Sequence, residues 1–237
     1  MLEVEHVHTF YGPSHILHGV DLSLQRGEAV SLIGRNGAGK TTLARSIMQL
    51  TPPARGAITF DGVDLNGLKP HNIYKMGIKL VPQGRRVFPK LTVEENLRLA
   101  LMGQKVNVPA AELAKAYERF EALGRRKHQK VRGLSGGERQ MLAIARGLLG
   151  STNLLLMDEP SEGLAPIIVR ELHDFILELK KTKLAILLAE QNVKMAVSAC
   201  DRHYILEKGE MRFSGSTAEL TANDDVLMQT LGVTTAS

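Results

Sequence analysis

The chain has 237 residues, 43% of them hydrophobic, enough to bury one large core. No window approaches the roughly 20 apolar residues that a membrane-spanning helix needs, so a soluble protein is expected. The first residues, MLEVEHVHTFYG, show no basic, apolar and small-residue leader pattern, and a single cysteine, Cys200, excludes an internal disulfide and fits a reducing cytoplasm. The net charge of +5 favours anionic partners such as nucleotides, nucleic acid or lipid headgroups, without choosing among them.

Short apolar runs alternate with helical patterns, which predicts an α/β core. In chain order, strands are expected at 2–7, 20–24, 29–33, 57–60, 79–81, 154–157, 184–188 and 203–206. Helices are expected after Lys40 and at 92–102, 110–123, 138–149, 167–180 and 193–199. SGSTAE (214–219) has the form of a capped start to a short terminal helix. Residues 91–149 are almost wholly helical in pattern, so the domain boundaries drawn are 1–90 with 150–237 for the core and 91–149 for an inserted helical lobe.

GRNGAGKTT (34–42) follows the strand AVSLI and satisfies the phosphate-loop pattern through Gly34, Gly39, Lys40 and Thr41. Glycines such as Gly34, Gly37 and Gly39 let backbone N–H groups converge on phosphate oxygens, with Asn36 and Thr42 in the same loop. The following helix adds its positive end. Lys40 supplies a point charge to the β- and γ-phosphates of ATP, and the Thr41 hydroxyl suits Mg2+. A glycine-rich turn with an incidental lysine is the alternative; the strand before and the helix after weaken it. LLLMDEP (154–160) then delivers Asp158 to the carboxyl edge of the sheet as a metal ligand, and Glu159 one residue on as the base that orients or activates water. Two surface acids capping a helix are the plainer alternative.

The second glycine-rich stretch, LSGGERQ (134–140), cannot be explained by one nucleotide in one loop. With it, the chain resembles an ATP-binding cassette (ABC) subunit of a membrane transporter. GRNGAGKTT resembles the family's Walker A, LLLMDEP its Walker B, LSGGE its signature, Val81–Pro82–Gln83 its Q-loop and SEGL (161–164) its D-loop, over residues 2–232. The resemblance implies an α/β phosphate-loop NTPase (RecA-like) core with an antiparallel β lobe and an inserted helical signature lobe. It implies a head-to-tail dimer in which Ser135, Gly136 and Gly137 of one subunit face ATP held by the other. It also implies Tyr11 stacking on adenine and Gln83 on Mg2+ or the attacking water. An ordinary helix cap at Ser135 and Glu138 is compatible with that role.

GRRVFPKLTVEENL (84–97), SEGLAP (161–166) and EQNV (190–193) are similar to importers of branched-chain and other hydrophobic amino acids, and closely related to cassettes for urea or short-chain amides. The partners implied are membrane permease subunits, received near Arg85, Arg86, Val87 and Phe88, a second cassette, and indirectly a periplasmic or extracellular solute-binding protein. The location implied is the cytoplasmic face of a bacterial inner membrane. Where most cassettes have a switch histidine, this chain has Gln191. Glutamine donates a hydrogen bond to phosphate or to Glu159 but cannot become cationic. Gln at this place also resembles one of the two cassette types of hydrophobic amino acid importers, whose partner type keeps histidine; that resemblance implies a heterodimer with a histidine-bearing partner, with a homodimer as the alternative. The basic run RRKHQKVR (125–132) lacks interleaved aromatic residues, so nucleic acid is not expected as a partner. Two other classes stay open: a soluble nucleic-acid-associated cassette, and a regulatory subunit that hydrolyses poorly.

Overall fold

The computed structural model describes residues 1–102 and 109–222; the end of the family resemblance, 223–232, lies outside them. Two sheets carry the fold. The larger has β3 (Ala29–Ile33), β6 (Ile78–Val81), β7 (Leu154–Asp158), β8 (Ala185–Glu190), β9 (Arg202–Glu207) and β10 (Glu210–Ser216) in the order β10-β9-β3-β8-β7-β6. Its first five members in the chain run parallel, and β10 closes one edge antiparallel to β9. Every residue of β3, β7 and β8 is buried, as expected of parallel strands covered on both faces.

The period-2 alternation splits these strands between two cores. Leu155, Met157, Ile186 and Leu188 face a cluster shared with Leu97, Leu113, Leu142 and Ile144 of the helical region. Leu154, Leu156, Leu187 and Val30 face a cluster shared with Val4, Leu22, Ile58 and Phe60. The latter belong to the second sheet, antiparallel in the order β2-β1-β4-β5, made of β1 (Leu2–Tyr11), β2 (Ser14–Leu24), β4 (Arg55–Phe60) and the short β5 (Val63–Asp64).

The helices are α1 (Lys40–Ile47), α2 (Pro70–Lys75), α3 (Val93–Leu101), α4 (Pro109–Arg119), α5 (Glu121–Arg125), α6 (Gly136–Leu148), α7 (Pro166–Lys181), α8 (Val193–Ala199) and α9 (Thr217–Thr221). Among the described residues, no helix is long and apolar enough to cross a membrane.

The single helix expected over 110–123 is two. At Phe120 the backbone leaves the helical region (φ −121°, ψ 68°), and the ring is buried with its centroid 5.0 Å from Phe175 of α7. Burying that aromatic side chain outweighs one turn of helix continuity. The short elements β5 and α2 and the edge strand β10 are additions to the expected order; β10 alternates between exposed and half-buried residues.

Candidate functional site

Parallel register assembles the site. Ile33 pairs with Glu190, and Asp158 with Ala189, so β3, β7 and β8 end at one level. Gly34, Glu159 and Gln191 each lie one residue beyond those ends, and Gln83 lies two beyond β6. Two backbone bonds tie the exits together: Gly34 N–H donates to Glu190 O at 3.2 Å, and Glu159 N–H to Ala189 O at 2.9 Å.

The phosphate loop turns from β3 into α1 through Gly39, whose φ of 113° places it where a side chain is strained. A Cβ there would also sit 2.8 Å from Leu17 Cδ2. Lys40, the first helical residue, is folded back under the loop. Its ammonium donates to Gly34 O at 2.6 Å and Arg35 O at 3.1 Å, and lies 2.9 Å from Glu159 Oε1. Thr41 Oγ1 donates to Asp158 Oδ1 at 3.1 Å. Burial raises the Asp158 carboxyl above its ordinary range, opposed by the Thr41 hydrogen bond.

Glu159 itself has φ 47°, a conformation a non-glycine residue adopts only when its surroundings hold it there. Gln83 reaches the same carboxylate: its side-chain amide donates to Glu159 Oε2 at 3.2 Å and to Glu162 Oε2 at 3.0 Å.

A cavity of about 230 Å³ is lined by Tyr11, Ile16, Gly37, Gly39, Lys40, Thr41, Thr42 and Glu159. Tyr11 stands at its rim, 44% exposed, with its hydroxyl 3.3 Å from Thr51 Oγ1, so its ring is held while remaining open to a planar ligand. Asn36 and Gly37 are exposed in the loop, and Gln191 is exposed at the end of β8.

Ser135, Gly136 and Gly137 are not among the residues lining that cavity. Ser135 caps α6 reciprocally: its Oγ accepts from Glu138 N–H at 3.1 Å, and its own N–H donates to Glu138 Oε2 at 2.8 Å. Gly137 is required by packing, since a Cβ there would meet Ile168 Cγ2 at 2.8 Å. The start of α6, with Ser135 exposed and Gly137 buried, lies apart from the residues that line the phosphate-loop cavity. The basic run is partly tied to this helix, with Arg126 Nε 2.7 Å from Glu138 Oε1.

Glu190 is the site residue that sequence reasoning passed over. It is 2% exposed and accepts three backbone hydrogen bonds, from Ser161 at 2.9 Å, Gln191 at 3.2 Å and Asn192 at 3.3 Å. It thereby pins the start of SEGL to the turn that carries Gln191. Burial raises its carboxyl above the ordinary range against those bonds. A carboxylate closing an apolar strand was its only sequence signal.

The residues present suit a hydrated divalent cation beside bound phosphates. A hydroxyl and a carboxylate already meet at Thr41 and Asp158, and ligands supplied by the nucleotide complete a shell of oxygen donors. Chemically, the arrangement can hold a triphosphate at Lys40 and the loop amides, with an acid, Glu159, within reach of the terminal phosphate.

Comparison with known proteins gives a consistent picture. The family model described as "ABC transporter" matches residues 17–162. The chain is 40% identical to the high-affinity branched-chain amino acid transport ATP-binding protein BraG of Pseudomonas aeruginosa, over 98% of this chain and 100% of that one. It is 36% identical to a probable branched-chain amino acid transport ATP-binding protein, LivF, of Archaeoglobus fulgidus, covering 98% and 99%. It is also 34% identical to the lipopolysaccharide export ATP-binding protein LptB of Haemophilus influenzae, covering 95% and 94%. Among solved structures, an ATP-binding subunit of an ABC transporter superposes with a TM-score of 0.83 at 30% identity, over 98% and 96% of the two chains.

Proposed function

Because this chain belongs to the ABC transporter family, and is an ATP-binding ATPase subunit of that kind, we propose that it energises uptake of branched-chain or other hydrophobic amino acids. The observation that carries the substrate class is the 40% identity with BraG over essentially both full lengths, against 34% with an exporter subunit. The buried Lys40–Glu159 pair beside the phosphate loop supports the catalytic half of the reading.

In this account Lys40 and the amides of Asn36, Gly37, Gly39, Thr41 and Thr42 bind the phosphates and Tyr11 stacks on adenine, while Gly34, expected in the same role, gives its own N–H to Glu190 O and forms the turn into the loop. Thr41, Asp158 and Gln83 would hold Mg2+, which when bound offsets negative charge on the β- and γ-phosphates. Glu159 accepts the proton of the attacking water, with Gln83 orienting its carboxylate. Gln191 donates to the γ-phosphate or to Glu159.

The second nucleotide face comes from Ser135, Gly136 and Gly137 of another cassette, so ATP joins two subunits and hydrolysis separates them. Gln191 favours a heterodimer in which the partner cassette bears histidine at that place. The assembly sits on membrane permease subunits at the cytoplasmic face of the bacterial inner membrane, and a solute-binding protein delivers solute from the other side.

The test is uptake. A strain whose only copy carries Lys40→Ala is expected to lose leucine, isoleucine and valine uptake, with permease subunits co-purifying with the wild-type chain. Retained amino-acid uptake contradicts the substrate class, and loss of urea or short-chain amide uptake instead moves the reading to that class.

A further inference from the structure

Glu190 closes β8 with a buried carboxylate and receives N–H groups from three loops at once. Its main-chain O accepts from Gly34, at the start of the phosphate loop, at 3.2 Å. Its Oε1 accepts from Ser161 at 2.9 Å, and its Oε2 from Gln191 at 3.2 Å and Asn192 at 3.3 Å. Desolvating a carboxylate is costly, and these N–H groups offset that cost here.

The Ser161 bond bears directly on Glu159. Glu159 holds φ 47°, although the residue before a proline is ordinarily driven to extended backbone. Pro160 has no N–H, so Ser161 carries the first main-chain donor after Glu159. The donors on either side of Pro160 go to consecutive residues of β8: Glu159 N–H to Ala189 O at 2.9 Å, and Ser161 N–H to Glu190 Oε1. The strained turn is thus fastened to the sheet at both ends, once through main chain and once through a side chain. Only the second fastening can be removed by substitution.

The side-chain contacts of Glu159 are shared with other groups. Lys40, 2.9 Å from its Oε1, is also the cation that the phosphates call on. Gln83 divides its amide between Glu159 Oε2 at 3.2 Å and Glu162 Oε2 at 3.0 Å. The backbone anchors on β8 involve neither group, so they persist when ATP draws Lys40 away.

We propose that Glu190 is a positioning residue for hydrolysis: through Ser161 its carboxylate holds Glu159 in its left-handed backbone, and through Gln191 and Asn192 it fixes the neighbouring turn at a set distance from that base. The inference rests on the catalytic reading above, in which Glu159 accepts the proton of water. Glutamine separates this role from mere bulk. Glu190→Gln keeps nearly the same shape but has one acceptor oxygen in place of two. It cannot receive Ser161 on one side and the two turn N–H groups on the other, so one side meets an amide donor.

The test is phosphate release by the purified cassette–permease assembly, in single-turnover and steady-state form, for wild type, Glu190→Gln, Glu159→Gln and the double variant. Glu190→Gln is expected to slow hydrolysis about 10- to 100-fold and to leave the KM for ATP within about twofold of wild type. Because Glu190 acts through Glu159, adding Glu190→Gln to Glu159→Gln should change the remaining rate by less than about twofold. Glu190→Asp keeps the charge but is too short to reach all three side-chain donors; it should slow hydrolysis in the same sense, and it replaces Glu190→Gln in the cycle if that variant does not fold. Wild-type hydrolysis in the Glu190 variant, beside a loss in Glu159→Gln, overturns the inference and leaves the catalytic reading standing. Equal falls in both backgrounds, or a folded assembly from neither Glu190 variant, assign Glu190 to the fold and overturn it as well. A raised KM with an unchanged rate assigns it to ATP binding, with the same result. Unchanged hydrolysis in Glu159→Gln overturns the catalytic reading, and this inference with it.

Discussion

The Lys40 ammonium lies 2.9 Å from the Glu159 carboxylate, with the two side chains only 2% and 7% exposed. With Gly34 O and Arg35 O at 2.6 and 3.1 Å, all three ammonium protons are engaged. On the proposed reading a phosphate oxygen gains one of them by exchange, and the incoming anion, repelling the Glu159 carboxylate, displaces that partner. Binding and the arming of the base are then one event.

From that exchange, Glu159→Gln is expected to bind ATP at least as tightly as wild type, since a neutral amide competes less well for Lys40. Lys40→Ala is expected to bind it roughly 10- to 100-fold more weakly, the worth of one charged hydrogen bond of about 1.5–3 kcal/mol. Nucleotide titration of both variants checks this, and tighter binding by Lys40→Ala would mean that the pair is not the phosphate's competitor.

Gln191 stands exposed at the end of β8. A cationic donor exceeds a neutral one by about 1 kcal/mol, so Gln191→His is expected to preserve turnover or raise it about five- to tenfold. Steady-state phosphate release reads the change; a collapse would show that the residue serves something other than the γ-phosphate.

Ser135 is exposed at the N-terminus of α6 and outside its own chain's nucleotide cavity. Ser135→Arg should leave ATP binding to a single chain intact and abolish ATP-dependent dimerisation, followed by light scattering in a Glu159→Gln background. A dimer that still forms would remove the signature from the interface.

His203 is fully buried, its Nδ1 2.7 Å from Ser31 Oγ and its Nε2 2.8 Å from Thr217 Oγ1. Burial pushes it down to about 4 from an ordinary 6.5. The unfolded chain therefore takes a proton that the folded chain refuses between those values. Stability from this group is complete above about pH 6.5 and declines as pH falls toward 4, by up to about 3 kcal/mol. Thermal midpoints of wild type and His203→Gln across that range should converge at low pH; parallel curves would show that His203 does not carry the dependence.

Much of this was legible in the sequence where one physical demand dominates. β3, β7 and β8 are buried on both faces, so their apolar runs announce them, and the residues that follow fall at one sheet edge. The phosphate loop is legible because Lys40 needs a glycine turn before it. What escaped depends on distant partners. The break at Phe120 follows from Phe175, far along the chain. β10 exists because β9 offers it an edge, though its own burial pattern is weak. Glu190 looks like an ordinary polar strand end until Ser161 is brought to it. Lys79 opens the expected strand 79–81 with no sign of its burial, which comes from Tyr74 of α2 lying against it.

The central claim is that Glu159, released from Lys40 by ATP, drives hydrolysis. Phosphate release by the purified cassette–permease assembly tests it most directly, comparing wild type with Glu159→Gln. The account predicts multiple turnovers for wild type and a fall of about 10²- to 10⁴-fold in the variant while ATP stays bound. Equal phosphate release by the two assemblies would contradict it.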